Sequence, residues 1–175
     1  MKTLLITGYT AFDLGIFDEK DIKISIIKKA LKLRLEAYLD NGLNWVIFTG
    51  SLGFEYWALQ VSKELQKDYD FFIASIFPFE THGKNWNQAN QAKLQEFKNV
   101  DYVKYAYESY ENPSQFCQYN DFLLENSDGA LVLYDEENET KLRYITNKMQ
   151  KTPNYNMEWI RFEDLQEICE EMNNM

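Results

Sequence analysis

The stretch 46–58 constrains this chain more than any other. Val46-Ile47-Phe48 is an apolar run, Thr49-Gly50-Ser51-Leu52-Gly53 is a turn with two glycines, and Phe54-Glu55-Tyr56-Trp57-Ala58 opens an amphipathic helix. A strand that turns straight into a helix is the unit from which parallel sheets are wound. Glycine tolerates positive φ and lets the backbone come close to whatever faces it. The helix behind aims free N–H groups and a partial positive charge at the same point. Gly50, Ser51, Leu52 and Gly53 are therefore a candidate seat for a phosphate or another anion. Glu55 would repel phosphate, but its carboxylate could accept hydrogen bonds from ribose hydroxyls. The same residues also read as a tight structural turn with an acidic first helical turn, and two glycines alone do not choose between these readings.

The rest of the chain repeats the alternation. A strand over 2–7 ends at Gly8. Over 21–39 the apolar residues Ile24, Ile27, Leu31, Leu35, Tyr38 and Leu39 share one helical face, and Gly42 signals the stop. A strand over 45–49 leads through the glycine turn to a helix along which Phe54, Trp57, Ala58, Val61 and Leu65 line up. The nearly all-apolar 70–77 reads as a third strand covered on both faces, with Pro78 ending it. A polar loop leads to a helix near 88–97, then a short strand over 102–107. Asn112-Pro113 marks the start of a helix running to about 126. The apolar 129–134 is a strand, 140–149 a helix, 157–161 a last strand, and a final helix begins near 163. The expectation is one α/β domain spanning 1–175, a Rossmann-like three-layer sandwich with a mostly parallel sheet and helices on both faces.

Composition narrows the function. With 175 residues and 16% aromatic content the chain can bury a full core. A net charge of −10 argues against a nucleic-acid or anionic membrane partner. The basic run 28–34 reads as the solvated face of its helix. Cys117 and Cys169 form no metal pattern, and His82 is the only histidine, which leaves zinc and a nucleophilic triad poorly served. No metal is expected. The absence of a leader or an 18-residue apolar run points to the cytoplasm.

Ligands of doubly wound sheets bind beyond the carboxyl ends of the strands. Four segments belong there. Gly8, Tyr9 and Phe12 follow the first strand and could either cradle a base or plug the core. The Gly50–Glu55 turn follows the second. Pro78 through Trp86, with His82 and Lys84, follows the third and has the mixed character of a binding loop. Asp135, Glu136 and Glu137 follow the 129–134 strand, where acids suit a ribose, an amine or a metal better than a phosphate, or simply solvate a loop.

Taken together, these segments resemble a known family. Thr7-Gly8-Tyr9, Phe12 with Leu14-Gly15-Ile16-Phe17, Gly42-Leu43 with Trp45, Gly50 through Gly53 with Glu55 and Trp57-Ala58, Pro78-Phe79, Asn85-Trp86, Pro113 with Gln115-Phe116, Asn120, Ser127-Asp128-Gly129 and Leu133-Tyr134-Asp135 are similar to the YpsA family of bacterial proteins. The YpsA family is part of the SLOG superfamily, named for the SMF/DprA and LOG proteins. The resemblance implies a Rossmann-like fold and a nucleotide or nucleotide-derived ligand, with Gly50, Gly53 and Glu55 in the ligand site. Gln115, Asn120 and Asp135 join the candidate binding residues on the same ground. It further implies a sensor or regulator with a link to cell division, and leaves room for a protein partner or a homo-oligomer.

The chain departs from the phosphoribohydrolase branch of that superfamily. Where that branch has a second glycine-rich turn, this chain reads Leu133-Tyr134-Asp135-Glu136-Glu137-Asn138, and where it has Arg-Lys, Gln115-Phe116-Cys117-Gln118-Tyr119-Asn120. The expectation is a binder rather than an enzyme that releases a base. The rival is a nucleotide-processing hydrolase or transferase using Glu55 or Asp135. A second rival is a protein-interaction module with no small-molecule ligand.

Overall fold

In the computed structural model, which describes residues 1–174, six strands and six helices alternate along the chain. The strands are β1 (Thr3–Gly8), β2 (Trp45–Phe48), β3 (Phe72–Phe79), β4 (Tyr102–Tyr107), β5 (Gly129–Leu133) and β6 (Asn156–Ile160). They form one sheet in the order β4-β3-β2-β1-β5-β6, and every neighbouring pair is parallel. The Rossmann-like α/β expectation is met.

The helices are α1 (Ile22–Asp40), α2 (Phe54–Leu65), α3 (Gln88–Lys98), α4 (Ser114–Glu125), α5 (Leu142–Lys151) and α6 (Phe162–Asn173). From β1 to β4 the chain steps outward in one direction, so right-handed crossovers put α1, α2 and α3 on one face. It then returns through α4 to β5 on the other side of β1, which puts α4 and α5 on the opposite face; α6 packs on α1. Direction reverses between β1 and β5, and this is the topological switch point. Leu4, Leu5 and Ile6 of β1 and Ala130, Leu131 and Val132 of β5 are fully buried, since central parallel strands have both faces covered.

Local signals fix the helix ends. Asp21 accepts the Lys23 N–H at 2.9 Å at the start of α1, and Asn112 Oδ1 accepts the Ser114 N–H at 3.0 Å at the start of α4. One boundary is corrected. Pro78 does not end β3 but lies inside it, and pairing continues through Phe79 opposite Tyr107. The reason is topological: β2 stops at Phe48, opposite Ser75, so beyond that point β3 has a neighbour on one side only. A strand with one free side tolerates proline, and the Glu80 N–H restores pairing to the Tyr107 carbonyl at 2.9 Å. No described helix is long and apolar enough to cross a membrane.

Candidate functional site

The turn after β2 is built on two glycines in left-handed backbone. Gly50 has φ +91°, and a Cβ there would lie 2.4 Å from the Phe77 ring and 3.2 Å from His82 Nε2. Gly53 has φ +98°, and its Cβ would lie 2.3 Å from the backbone nitrogen of Ala11. Both glycines are therefore demanded by the protein's own packing. Gly50 lets the β3 loop close over the turn, and Gly53 lets the β1 loop do the same from the other side. The Phe54 N–H completes the junction by donating to the Tyr9 carbonyl at 3.1 Å.

Glu55 lies beneath this turn, fully buried. Its Oε1 accepts the backbone N–H groups of Thr49 (2.7 Å) and Gly50 (3.1 Å), and its Oε2 meets the hydroxyls of Thr49 (2.5 Å) and Thr7 (3.0 Å). The carboxyl group curls the end of β2 around itself and ties it to the end of β1. Burial pushes its pKa up, and the four hydrogen bonds pull back only part of that shift. A protonated Glu55 also fits, because Oε1 keeps both amides while an Oε2–H donates to a threonine hydroxyl. Tyr119 closes the cluster from the opposite face, its hydroxyl donating to the Ile76 carbonyl. Burial, and then the nearby Glu55 charge, hold that phenol well above its ordinary range.

With Glu55 turned inward, the open polar groups of the turn are amides. Among the described residues, the N–H groups of Ser51, Leu52, Gly53, Glu55 and Tyr56 meet no protein acceptor. Ser51 and Leu52 are partly exposed, and no side chain caps α2. These amides carry the positive end of the α2 dipole.

The β3 loop forms one wall. His82 Nε2 donates to the Gly50 carbonyl at 2.8 Å, which fixes the neutral tautomer with the proton on that nitrogen. Burial lowers the His82 pKa, with Lys98 adding to the effect. Trp86 stands edge-on to His82, centroids 5.2 Å apart, and covers Gly83. The sequence places His82 in a loop; the structure makes it the clasp between two loops.

The switch point itself is filled. Gly8 leaves room for the Phe54 ring, which a Cβ would meet at 2.6 Å. Tyr9 is buried, and its hydroxyl has its one proton shared between the carbonyls of Asn138 (2.8 Å) and Asp135 (3.0 Å) while accepting the Asp135 N–H (2.9 Å). Its ring stacks on Phe162 at 6.0 Å and tilts against Tyr134 at 5.4 Å. The Asp135 carboxylate accepts the Glu137 N–H and the Asn138 side-chain amide, both at 3.0 Å, and so shapes its own loop.

The structure thus brings Gly8, Tyr9, Gly50, Ser51, Leu52, Gly53, Glu55 and Trp86 into one continuous edge, with Asp135 reached through Tyr9. Three candidates stand apart. Pro78 is inside β3. Gln115 is buried on α4, where its side-chain oxygen accepts the N–H groups of Glu111 (2.8 Å) and Asn112 (3.3 Å) and holds the loop before the helix. Asn120 is partly exposed, with no side-chain hydrogen bond to the described residues. No group of acids, histidines and cysteines among the described residues has the geometry of a metal site. Of the cations, Arg143 is turned onto the Tyr144 ring at 4.6 Å, and Lys148 is bonded to Asp121 at 2.5 Å. Sequence reasoning missed Thr7, Thr49 and Tyr119. Two of these carried a signal: each is a threonine directly before a glycine at the end of a central strand.

Comparison with known proteins agrees with this architecture. The family model YpsA, described as the YspA SLOG family, matches residues 4–165. A UPF0398 protein of Lactococcus lactis subsp. cremoris is 66% identical over 173 residues, covering 99% of both chains. A UPF0398 protein of Streptococcus agalactiae is 56% identical over 170 residues, 97% of this chain and 99% of the other. One of Streptococcus thermophilus is 53% identical over 171 residues, 98% of this chain and all of the other. On a match that spans nearly the whole chain, the protein belongs to the YpsA family of SLOG proteins.

Proposed function

We propose that the protein binds a nucleotide-type ligand at the carboxyl edge of the sheet, with the phosphate at the turn between β2 and α2, and works as a cytoplasmic sensor or regulator. The observation that carries this reading is the set of unpartnered amides of Ser51, Leu52, Gly53, Glu55 and Tyr56 at the uncapped N-terminus of α2, of which Ser51 and Leu52 are partly exposed. Such amides favour an anion without needing a lysine or arginine. Membership in a SLOG family supports the same direction. In this reading Glu55 supports the seat from below, organising Thr49 and Gly50, and is not itself the ribose partner. The ribose and base lie against the β1 and β3 loops.

Base release from a nucleotide is not part of the proposal. That reaction needs a cation on the phosphate and an acid at the developing positive charge of the sugar. α4 has no lysine or arginine, and the carboxyl group of Glu55 is enclosed by the protein's own donors.

The test has two parts. Native mass spectrometry of the freshly purified protein should reveal a co-purifying small molecule carrying a phosphate. Calorimetry with AMP, GMP, CMP and UMP should then find binding that Ser51→Glu weakens by about tenfold or more, since a carboxylate at the open amides repels phosphate. Ser51 is partly exposed, so its thermal midpoint should stay within a few degrees of wild type. No binding of any nucleotide, or equal binding by Ser51→Glu, contradicts the proposal.

A further inference from the structure

The sheet is finished differently at its two edges. β6 is one edge, and its outward side is covered. The Asn156 N–H donates to the Asp128 carbonyl at 3.2 Å, so the backbone groups of Asn156, Glu158 and Ile160 face β5 and those of Trp159 face out. Arg34 Nη1 donates to that outward Trp159 carbonyl at 3.2 Å, and the Arg161 guanidinium covers the Trp159 ring at 4.2 Å. β4 is the other edge. Its Tyr107 carbonyl accepts the Glu80 N–H at 2.9 Å, so the backbone groups of Val103, Tyr105 and Tyr107 face β3, and those of Tyr102, Lys104 and Ala106 face away from the sheet. No loop or side chain among the described residues bonds these outward groups. A lysine often blunts an edge, but Lys104 is folded back, with its ammonium over the Phe122 ring at 5.6 Å.

Beside this open edge lies a groove of about 420 Å³ between β4 and α4, lined by Lys104, Ala106 and Tyr107 on the strand and Gln118, Phe122 and Glu125 on the helix. The three helix residues form one row along α4, about 10 Å long. That matches about three residues of extended chain. Tyr107 closes one end of the groove by donating its hydroxyl to Gln118 at 2.7 Å. Ala106 is the smallest side chain of β4 and leaves the floor open. The pleat then sets the register. A residue hydrogen-bonded opposite Lys104 or Ala106 puts its side chain on the same face as theirs, which is the groove face. Charges around the groove offset one another: Lys104 and Lys148 stand against Asp121 and Glu125, with Asp121 already bonded to Lys148 at 2.5 Å.

We propose that the β4 edge takes up an extended segment of a partner protein as an added strand, with an uncharged apolar side chain at every second position seated in the groove between β4 and α4. The row of unpaired donors and acceptors selects a strand and not a helix, because only extended backbone repeats its own groups at the spacing of β4. The balance of charge around the groove selects uncharged side chains. A second copy of this chain is disfavoured on two grounds. Two chains of net charge −10 repel, and pairing the row with itself about Lys104 sets two lysines directly opposite each other. The edge is separate from the turn between β2 and α2, so the proposal does not rest on the nucleotide reading.

The test uses a capped peptide of about nine residues that alternates valine with threonine and carries a lysine at each end. Its control is the same peptide N-methylated at the valines, which removes the donors on the side that puts valine in the groove. Titration of ¹⁵N-labelled protein with the first peptide should give saturable amide shifts at Tyr102, Lys104 and Ala106. At saturation, hydrogen exchange at Lys104 and Ala106 should slow by about tenfold or more. The N-methylated peptide should bind about tenfold or more weakly. Lys104→Pro removes one outward N–H and no bond to β3, and Ala106→Phe fills the groove floor. Each should weaken the first peptide by about tenfold or more while the thermal midpoint stays within a few degrees of wild type. No saturable shift up to about 1 mM overturns the proposal. So does equal binding of the N-methylated peptide, a readout that holds whether or not either variant folds. Unchanged binding by both variants overturns it as well. A wild-type dimer in sedimentation velocity that Lys104→Pro dissolves also overturns it, and gives the edge to a second copy.

Discussion

The turn after β2 and the turn after β5 stand on the same edge of the same sheet, each at the end of a buried parallel strand, and they are finished in opposite ways. The β2 turn is made of small residues. Its inward side is saturated by Glu55; five amides find no protein acceptor, and of these Ser51 and Leu52 are the partly exposed ones. The β5 turn is stitched shut by Tyr9 and lined by Asp135, Glu136 and Glu137, of which Glu136 faces Arg161 at 3.8 Å. Topology alone favours a ligand at the switch between β1 and β5. Side-chain chemistry moves the candidate seat one strand over, because an anion needs open donors and finds acids and a buried phenol at the switch. The family fold supplies a shelf, and the residues at each strand end decide which part of it is usable.

The largest expected effect is at Gly53. Gly53→Ala combines strained positive φ with a clash against the Ala11 backbone, and should cost about 4 kcal/mol in a urea titration. A cost within about 1 kcal/mol would mean that the two loops do not close over the turn as described. Next comes the pair of substitutions at Glu55. Glu55→Ala strips four donors of their acceptor and should destabilise by about 3 kcal/mol, while Glu55→Gln keeps an oxygen for the two amides and an N–H₂ for the hydroxyls, and should stay within about 1 kcal/mol. Equal losses would mean that charge, not hydrogen bonding, is what Glu55 supplies.

On the β5 side the effect is smaller. Tyr9→Phe removes the hydroxyl that ties Asp135 and Asn138 to β1 and should cost about 1.5 kcal/mol, with hydrogen exchange rising at residues 135–138 and not at 51–56. Exchange rising equally in both turns would merge two regions described here as separate. The smallest effect is a pH dependence. His82 has a lowered pKa in the folded protein, so its contribution to stability is present above the ordinary histidine value of 6.5 and is lost as pH falls through the folded value. Wild type should therefore lose stability below pH 6.5 more steeply than His82→Gln, measured by urea midpoints across that range. Parallel curves would remove His82 as a neutral clasp.

Much of this fold is written in local patterns. The 3.6-residue spacing of Ile24, Ile27, Leu31 and Leu35 gives α1, and the unbroken apolar run at Leu131-Val132-Leu133 gives a strand buried on both faces. Pro78 misleads because proline's cost depends on what lies beside the strand, and the early end of β2 is a property of the assembled sheet. The candidate site was legible in its backbone and not in its side chains. Gly50 and Gly53 announce a turn, but whether Glu55 points outward to a ribose or inward to Thr7, Thr49 and Gly50 depends on contacts between residues 48 positions apart. Gln115 likewise carries no local sign that it holds its own loop. The open edge at β4 is hidden for the same reason, since which strand stands last is decided by the assembled sheet.

The central claim is that a nucleotide's phosphate sits on the open amides of the β2 turn and not at the switch point between β1 and β5. The most direct measurement is an amide chemical-shift titration of ¹⁵N-labelled protein with AMP, GMP, CMP and UMP. The account predicts saturable shifts centred on Ser51, Leu52, Gly53, Glu55 and Tyr56, with residues 135–138 nearly silent. Shifts centred on Tyr9 and Asp135, or no saturable shift with any of the four nucleotides, would contradict it.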